Sequence, residues 1–203
     1  MPYQAQVVRY LDADLEETAR RTANKPGNTT VYWGEYSGGA DDLPGNATQG
    51  VVADTRLVII GHGDRASTSI GNRSLSAERL ARVVRTWLGG TRIRRISLHM
   101  CYGGGNRGQA TGSDVARFEV HPTNSFAYRF ARYAGQLTVD VTARTDVVAG
   151  RFAAGIDGNT ETFYRTVGGR RKAEGDKVVF RTSQASTIDN PVNPTMTFSW
   201  QPQ

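Results

Sequence analysis

The sequence predicts an α/β fold: a three-layer sandwich with a mostly parallel central sheet flanked by helices, followed by a C-terminal β-hairpin flap. Three observations carry this expectation. Leu57 to Ile60 is an uninterrupted apolar run, the pattern of a strand covered on both faces. Strand-like and helix-like segments alternate through residues 1–146. After them come short strand-like pieces and turns, Val178 to Phe180 and Thr195 to Trp200 among them. No linker divides the chain, so residues 1–203 read as one domain, with an α/β core at 1–146 and a flap and C-terminal strands at 147–203.

Each element has its own signals. Gln6 to Leu11 reads as a short strand. Asp14, with Glu17 three residues on, has the spacing of a capping box that opens a helix through Ala23. Asn24-Lys25-Pro26-Gly27 stops that helix, and Thr29 to Trp33 is a second strand, rich in β-branched and aromatic residues. A Gly-, Asp- and Pro-rich loop spans Tyr36 to Gly50. Arg56 to Ile60 is the next strand and ends at Gly61-His62-Gly63. Ser76 caps a helix reaching Leu88, with Leu75 and Leu80 at the spacing of a hydrophobic staple and Gly89-Gly90 as its stop. Ile93 to Met100 is a strand that runs into Cys101 and a glycine-rich loop. Ser125 to Tyr133 is a helix with Phe126, Phe130 and Tyr133 on one side, and Leu137, Val139 and Val141 alternate as a strand.

Composition narrows the function classes. At 203 residues and 38% hydrophobic, the chain can bury one core. Its 23 glycines follow no collagen-like period, and no apolar run approaches the length of a membrane span. Met1 to Asp14 lacks the basic start and apolar block of a signal peptide, so any export signal is expected outside this chain. A single cysteine rules out an internal disulfide and is too few for a structural zinc site, so no metal is expected. The balance of 25 Lys+Arg against 19 Asp+Glu gives +6, which favours an anionic partner. The aromatic–basic interleaving of nucleic-acid folds is missing, so nucleic acid is not the expected one.

His62 and Cys101 stand at comparable places, each just past an apolar strand and each followed by a loop containing glycine. If those strands are parallel neighbours joined by the 76–88 helix, both side chains emerge at one sheet edge, where α/β folds place their chemistry. A thiol and an imidazole together there make a nucleophile and its base. The backbone N–H groups of Gly63 and Cys101 could then form an oxyanion hole. His99 is the competing base, though its place within an apolar strand suits the core. His121, before Pro122, has no such context.

These residues also carry a resemblance. Arg-Leu-Val-Ile-Ile-Gly-His-Gly at 56–63 and Ile-Ser-Leu-His-Met-Cys at 96–101 resemble the His-Gly and Cys blocks of caspase-like (clan CD) peptidases. They are most similar to the self-processing cysteine peptidase domains of multifunctional RTX toxins and large glucosylating toxins. Further blocks support the likeness: the strand at 6–8, Ser-Ala-Glu-Arg-Leu at 76–80, Val-Asp-Val-Thr-Ala-Arg at 139–144 and Lys-Ala-Glu-Gly-Asp-Lys-Val at 172–178. Met100 departs from the pattern, since the family has glycine before the catalytic cysteine.

The resemblance implies a cysteine endopeptidase that cleaves after leucine, in its parent chain or another polypeptide. It implies a monomeric, secreted bacterial toxin or effector domain acting in the host cytosol. An Asp near the first helix orients the histidine in some relatives; Asp14 or Asp12 would do so here, while a plain helix cap is the alternative for Asp14. The resemblance also implies allosteric activation by inositol hexakisphosphate bound to basic residues, with Lys25, Arg56, Arg144, Arg151, Lys172 and Lys177 at matching positions. Arginine suits that task because its fork grips phosphate in bidentate fashion. The flap region 151–181 holds seven bases and four acids. A solvated basic face would produce the same count. Two other readings stay open: a caspase-like peptidase without the phosphate switch, and a non-catalytic basic phosphate-binding module with an inert cysteine.

Overall fold

The computed structural model describes residues 5–24, 29–38, 51–107, 118–145, 148–153, 160–167, 170–173 and 177–199. The first half of the chain runs β1 (Ala5–Tyr10), a 3-10 turn (Ala13–Leu15), α1 (Glu16–Ala23), β2 (Thr29–Glu35), β3 (Thr55–Ile60), α2 (Ala77–Leu88) and β4 (Ile93–His99). It continues through β5 (Asn106–Arg107), β6 (Phe118–Val120), α3 (Phe126–Tyr133) and β7 (Thr138–Arg144). The last elements are β8 (Val148–Ala153), β9 (Thr160–Val167), β10 (Arg170–Ala173), β11 (Lys177–Arg181) and β12 (Thr195–Ser199).

Seven strands form the main sheet in the order β12-β11-β7-β4-β3-β1-β2. From β2 to β7 all pairings are parallel, and β11 and β12 add antiparallel at the β7 edge. The expected α/β class, with a mostly parallel sheet, flanking helices and a C-terminal antiparallel hairpin, is what the chain adopts. β3 explains why its sequence is apolar throughout: Leu57 and Ile59 face α2 and α3, while Val58 and Ile60 pack with Ala19 and Ala23 of α1. Both faces of this strand are covered, so neither can be polar.

α2 forms where its signals place it. The Ser76 hydroxyl accepts from the Arg79 N–H at 3.2 Å, and Gly89 adopts φ +54° to end the helix. Its buried stripe of Leu80, Val84, Trp87 and Leu88 faces the sheet, each side chain contributing about 2 kcal/mol by leaving water. Trp87 meets the rings of Trp33 and Tyr36 edge-on at 6.4 and 5.4 Å, locking α2 against the β1–β2 side of the sheet. Ser125 caps α3 in the same way, accepting from the Tyr128 N–H at 3.2 Å, and buries Phe126 and Phe130.

Two expectations change. The Asp14–Glu17 capping box does not form: Asp14 lies within the 3-10 turn, Leu15 precedes α1 without a side-chain cap, and the Asp14 carboxylate engages His62 instead. The flap is also more than one hairpin. β8, β9 and β10 make a separate antiparallel sheet, and β9 passes beside α1. Among the described residues, no helix is long and apolar enough to cross a membrane.

Candidate active site

Register decides the site. Ile60 of β3 pairs with His99 of β4, so His62 and Cys101 each stand two residues beyond paired positions at one carboxyl edge of the sheet. The Gly61 N–H donates to the His99 carbonyl at 3.2 Å, carrying the contact one step further toward them. Gly63 then lets the two loops meet. A Cβ built there would lie 2.1 Å from the Cys101 carbonyl oxygen, a distance only the missing side chain permits. The Gly63 N–H donates to no protein group among the described residues, as an oxyanion donor requires.

Aspartates set the histidine. Asp14 Oδ2 lies 2.8 Å from His62 Nε2, with the two side chains 63% and 51% exposed. A carboxylate at that nitrogen favours the tautomer protonated on Nε2 and leaves the Nδ1 lone pair able to accept a proton. Asp12 does different work. It is buried, accepts the His62 backbone N–H at 2.7 Å and also accepts the Asn72 N–H. The Gly71 N–H donates to the His62 carbonyl at 2.7 Å, so the main chain at His62 is held from both sides. Asp14 therefore addresses the ring and Asp12 the backbone. Two residues on, Asp64 accepts from the N–H and hydroxyl groups of Thr68 and Ser69. Partial burial by itself would raise its pKa, but these hydrogen bonds outweigh burial and hold the carboxyl below its ordinary value.

No family model, curated protein or solved structure matches this chain.

The cysteine loop is held by backbone rather than by carboxylates. Cys101 is half-buried, and Tyr102 after it adopts φ +56°, a left-handed conformation that costs a non-glycine residue about 1 kcal/mol. Gly104 N–H donates to the Arg144 carbonyl at 2.8 Å, and the Gly103 carbonyl accepts from Ala127 N–H at 2.9 Å. Met100, at the position where the resembled family has glycine, is buried. Its side chain fills the space beside two loop glycines, since a Cβ at Gly63 or Gly103 would meet Met100 at 2.8 or 2.6 Å.

The other histidines have different surroundings. His99 is half-buried at the end of β4, and exposed His121 caps the Pro122–Asn124 turn by accepting the Thr123 N–H at 3.3 Å.

The basic residues divide. Lys25 lies outside the described residues, and Arg151 and Lys172 sit in β8 and β10, whose side chains also lie outside them. Arg56, Arg144 and Lys177 share the α1-side face of the sheet, with Arg144 and Lys177 opposite each other across β7 and β11. Arg56 Nε donates to Ser97 Oγ at 3.0 Å, and Ser97 also accepts from Thr142 at 3.0 Å. Arg95 and Arg181 join the same face; both reach Asp140, at 3.4 and 3.3 Å. Across β3, β4, β7 and β11 the described residues of this face thus include five bases and one carboxylate. The row containing Arg56, Arg95, Asp140 and Arg181 lies four residues, about 13 Å, from Arg144 along the strands. Among the described residues no His, Cys, Asp and Glu cluster could hold a metal ion.

Sequence reasoning missed Arg95 and counted Arg181 only among the bases of the flap region, although the alternation of Arg95 and Ser97 with Ile96 and Leu98 marks the polar face of β4. It left Asp12 only as an alternative to Asp14, and it overlooked Ser67. No local pattern flags either, because their partners lie 35 or more residues away.

Proposed function

We propose that this chain is a cysteine endopeptidase in which Cys101 is the nucleophile, His62 the base and Asp14 the residue that orients His62. The observation that carries this is the β3–β4 register, which brings the histidine and cysteine loops side by side, with a carboxylate 2.8 Å from the far nitrogen of the imidazole. In the reaction, His62 Nδ1 takes the proton from the Cys101 thiol as sulfur attacks the scissile carbonyl carbon. The carbonyl oxygen gathers charge opposite the Gly63 and Cys101 N–H groups. As the tetrahedral intermediate collapses, His62 returns the proton to the leaving amine. Water then cleaves the thioester by the reverse sequence of proton transfers.

The finer reading follows the family resemblance. The substrate carries leucine before the cut and is the parent chain or another polypeptide; the protein is a toxin or effector domain released into the host cytosol. Inositol hexakisphosphate binds the sheet face bearing Arg144 and Lys177 and orders the flap over it. A basic surface with opposed Arg144 and Lys177, and a β8–β10 sheet whose central strand passes beside α1, support that assignment. One observation favours the peptidase without the switch: the Arg56 guanidinium already serves the fold through Ser97.

Iodoacetamide labelling of Cys101, with and without inositol hexakisphosphate, separates the readings, alongside cleavage of leucine-containing peptides. Labelling and cleavage that need the ligand support the switch. Equal activity without it supports the simpler peptidase, and an unreactive thiol leaves a binding module. Cys101→Ala and His62→Ala should each abolish cleavage while the protein stays folded. Activity surviving in Cys101→Ala would end the proposal, since the chain has no other thiol.

A further inference from the structure

The turn that presents Cys101 is held from across the site by one buried hydroxyl. Ser67 is fully buried and, like Tyr102, adopts φ +56°. Its Oγ donates to the Tyr102 carbonyl at 2.6 Å and accepts the Phe126 N–H at 2.8 Å. Its own carbonyl accepts from the Arg129 guanidinium, and its N–H donates to the Asp64 carbonyl at 2.9 Å. One side chain thus joins the loop after His62, the loop after Cys101 and the start of α3.

We infer that Ser67 is a positioning residue for the Cys101 nucleophile, an inference that rests on the peptidase reading above. The physical reason lies in Tyr102. A non-glycine residue leaves the left-handed region unless something outweighs the clash of its Cβ with its own backbone. The Tyr102 carbonyl is held on both sides, by the Gly105 N–H at 2.9 Å within the turn and by Ser67 Oγ from across the site. The Gly105 bond is local and moves with the turn, whereas the Ser67 bond fixes the turn to the histidine loop. Ser67 thereby sets where the thiol lies relative to His62 by way of the main chain at Tyr102. The same hydroxyl occupies the Phe126 N–H, so its loss disturbs the start of α3 as well as the nucleophile. A test must separate these two effects.

Ser67→Gly removes the hydroxyl and at the same time relieves the left-handed strain at position 67, which favours a folded variant. Ser67→Ala removes the same hydroxyl with Cβ kept, so whichever variant folds gives the reading. For a peptide substrate, kcat should fall about tenfold with KM within about twofold, because ground-state binding is untouched while nucleophile geometry is lost. Alkylation of Cys101 by iodoacetamide should slow by a similar factor. Adding Tyr102→Gly makes the left-handed turn intrinsic to the chain and should recover at least half of the lost log kcat. A purely structural role in α3 would be blind to residue 102.

A folded Ser67 variant with wild-type kcat and alkylation rate overturns the inference. Failure of Tyr102→Gly to restore any activity overturns it too. If the wild-type protein cleaves no peptide, the peptidase reading falls, and the alkylation rates still decide whether Ser67 positions the thiol.

Discussion

The two loops that meet at the carboxyl edge of the sheet are built by different means. The loop after β3, carrying His62, is pinned by side-chain carboxylates: Asp12 on the His62 and Asn72 N–H groups, Asp14 on the ring, and Asp64 on Thr68 and Ser69. The loop after β4, carrying Cys101, is held by main-chain bonds at Gly103 and Gly104, by close glycine packing and by the Ser67 hydroxyl. A carboxylate clamp depends on charge and therefore on pH, whereas a backbone clamp depends on shape. The histidine loop should thus answer to acid and to the removal of charge, and the cysteine loop to added volume.

The sharpest break in that contrast is Asp12→Ala. It removes the buried carboxylate that accepts both the His62 and Asn72 N–H groups, and losing two hydrogen bonds to a charged group should cost about 3 kcal/mol and lower the melting temperature by roughly 6–12 °C. Cleavage should fall with it. A variant that melts like the parent would mean that the loop holds itself. On the other side, Gly63→Ala puts a methyl 2.1 Å from the Cys101 carbonyl oxygen. The forced shift of two loops should cost about 2 kcal/mol and abolish most Cys101 labelling, at neutral and mildly acidic pH alike. An active, stable Gly63→Ala protein would show that the loops are looser than their packing implies.

Asp14→Asn is milder, since both partners are more than half exposed and screened by solvent. A roughly tenfold loss in kcat is expected, shrinking the gap to the parent as salt is raised. Unchanged kcat at low salt would remove Asp14 from the site.

The smallest effect belongs to Asp64. Its folded pKa lies below the ordinary carboxylate value, so its contribution is complete at neutral pH and disappears as pH falls through the acid range toward that lowered value. Asp64→Asn should lower the melting temperature slightly at pH 7 and flatten its fall between about pH 5 and pH 3, so that the two curves converge in acid. Identical pH curves for parent and variant would deny the hydrogen bonds their role.

Much of this was legible in the chain before folding. Continuous apolar sequence at Leu57–Ile60 announced a strand covered on both faces; Ser76 and Gly89 marked the two ends of α2, and Ser125 the start of α3. Those signals are local, since a cap or a buried stripe is satisfied within a few residues of itself. That the loops carrying His62 and Cys101 meet at one edge of the sheet was also readable, because both follow strands that a single crossover helix joins.

What sequence reading could not decide was everything whose partner is remote. Asp14 and Glu17 have capping-box spacing, yet the choice between a helix N–H and a histidine in another segment depends on where β3 ends beside β1. Asp12, Ser67 and the Arg95–Asp140–Arg181 row acquire their roles only when register sets their neighbours opposite them. Residue types and spacing along one chain determine the elements and their buried faces. Contacts between elements depend on strand order and register, which the whole core selects together, and so the supporting half of the site belongs to the tertiary structure alone.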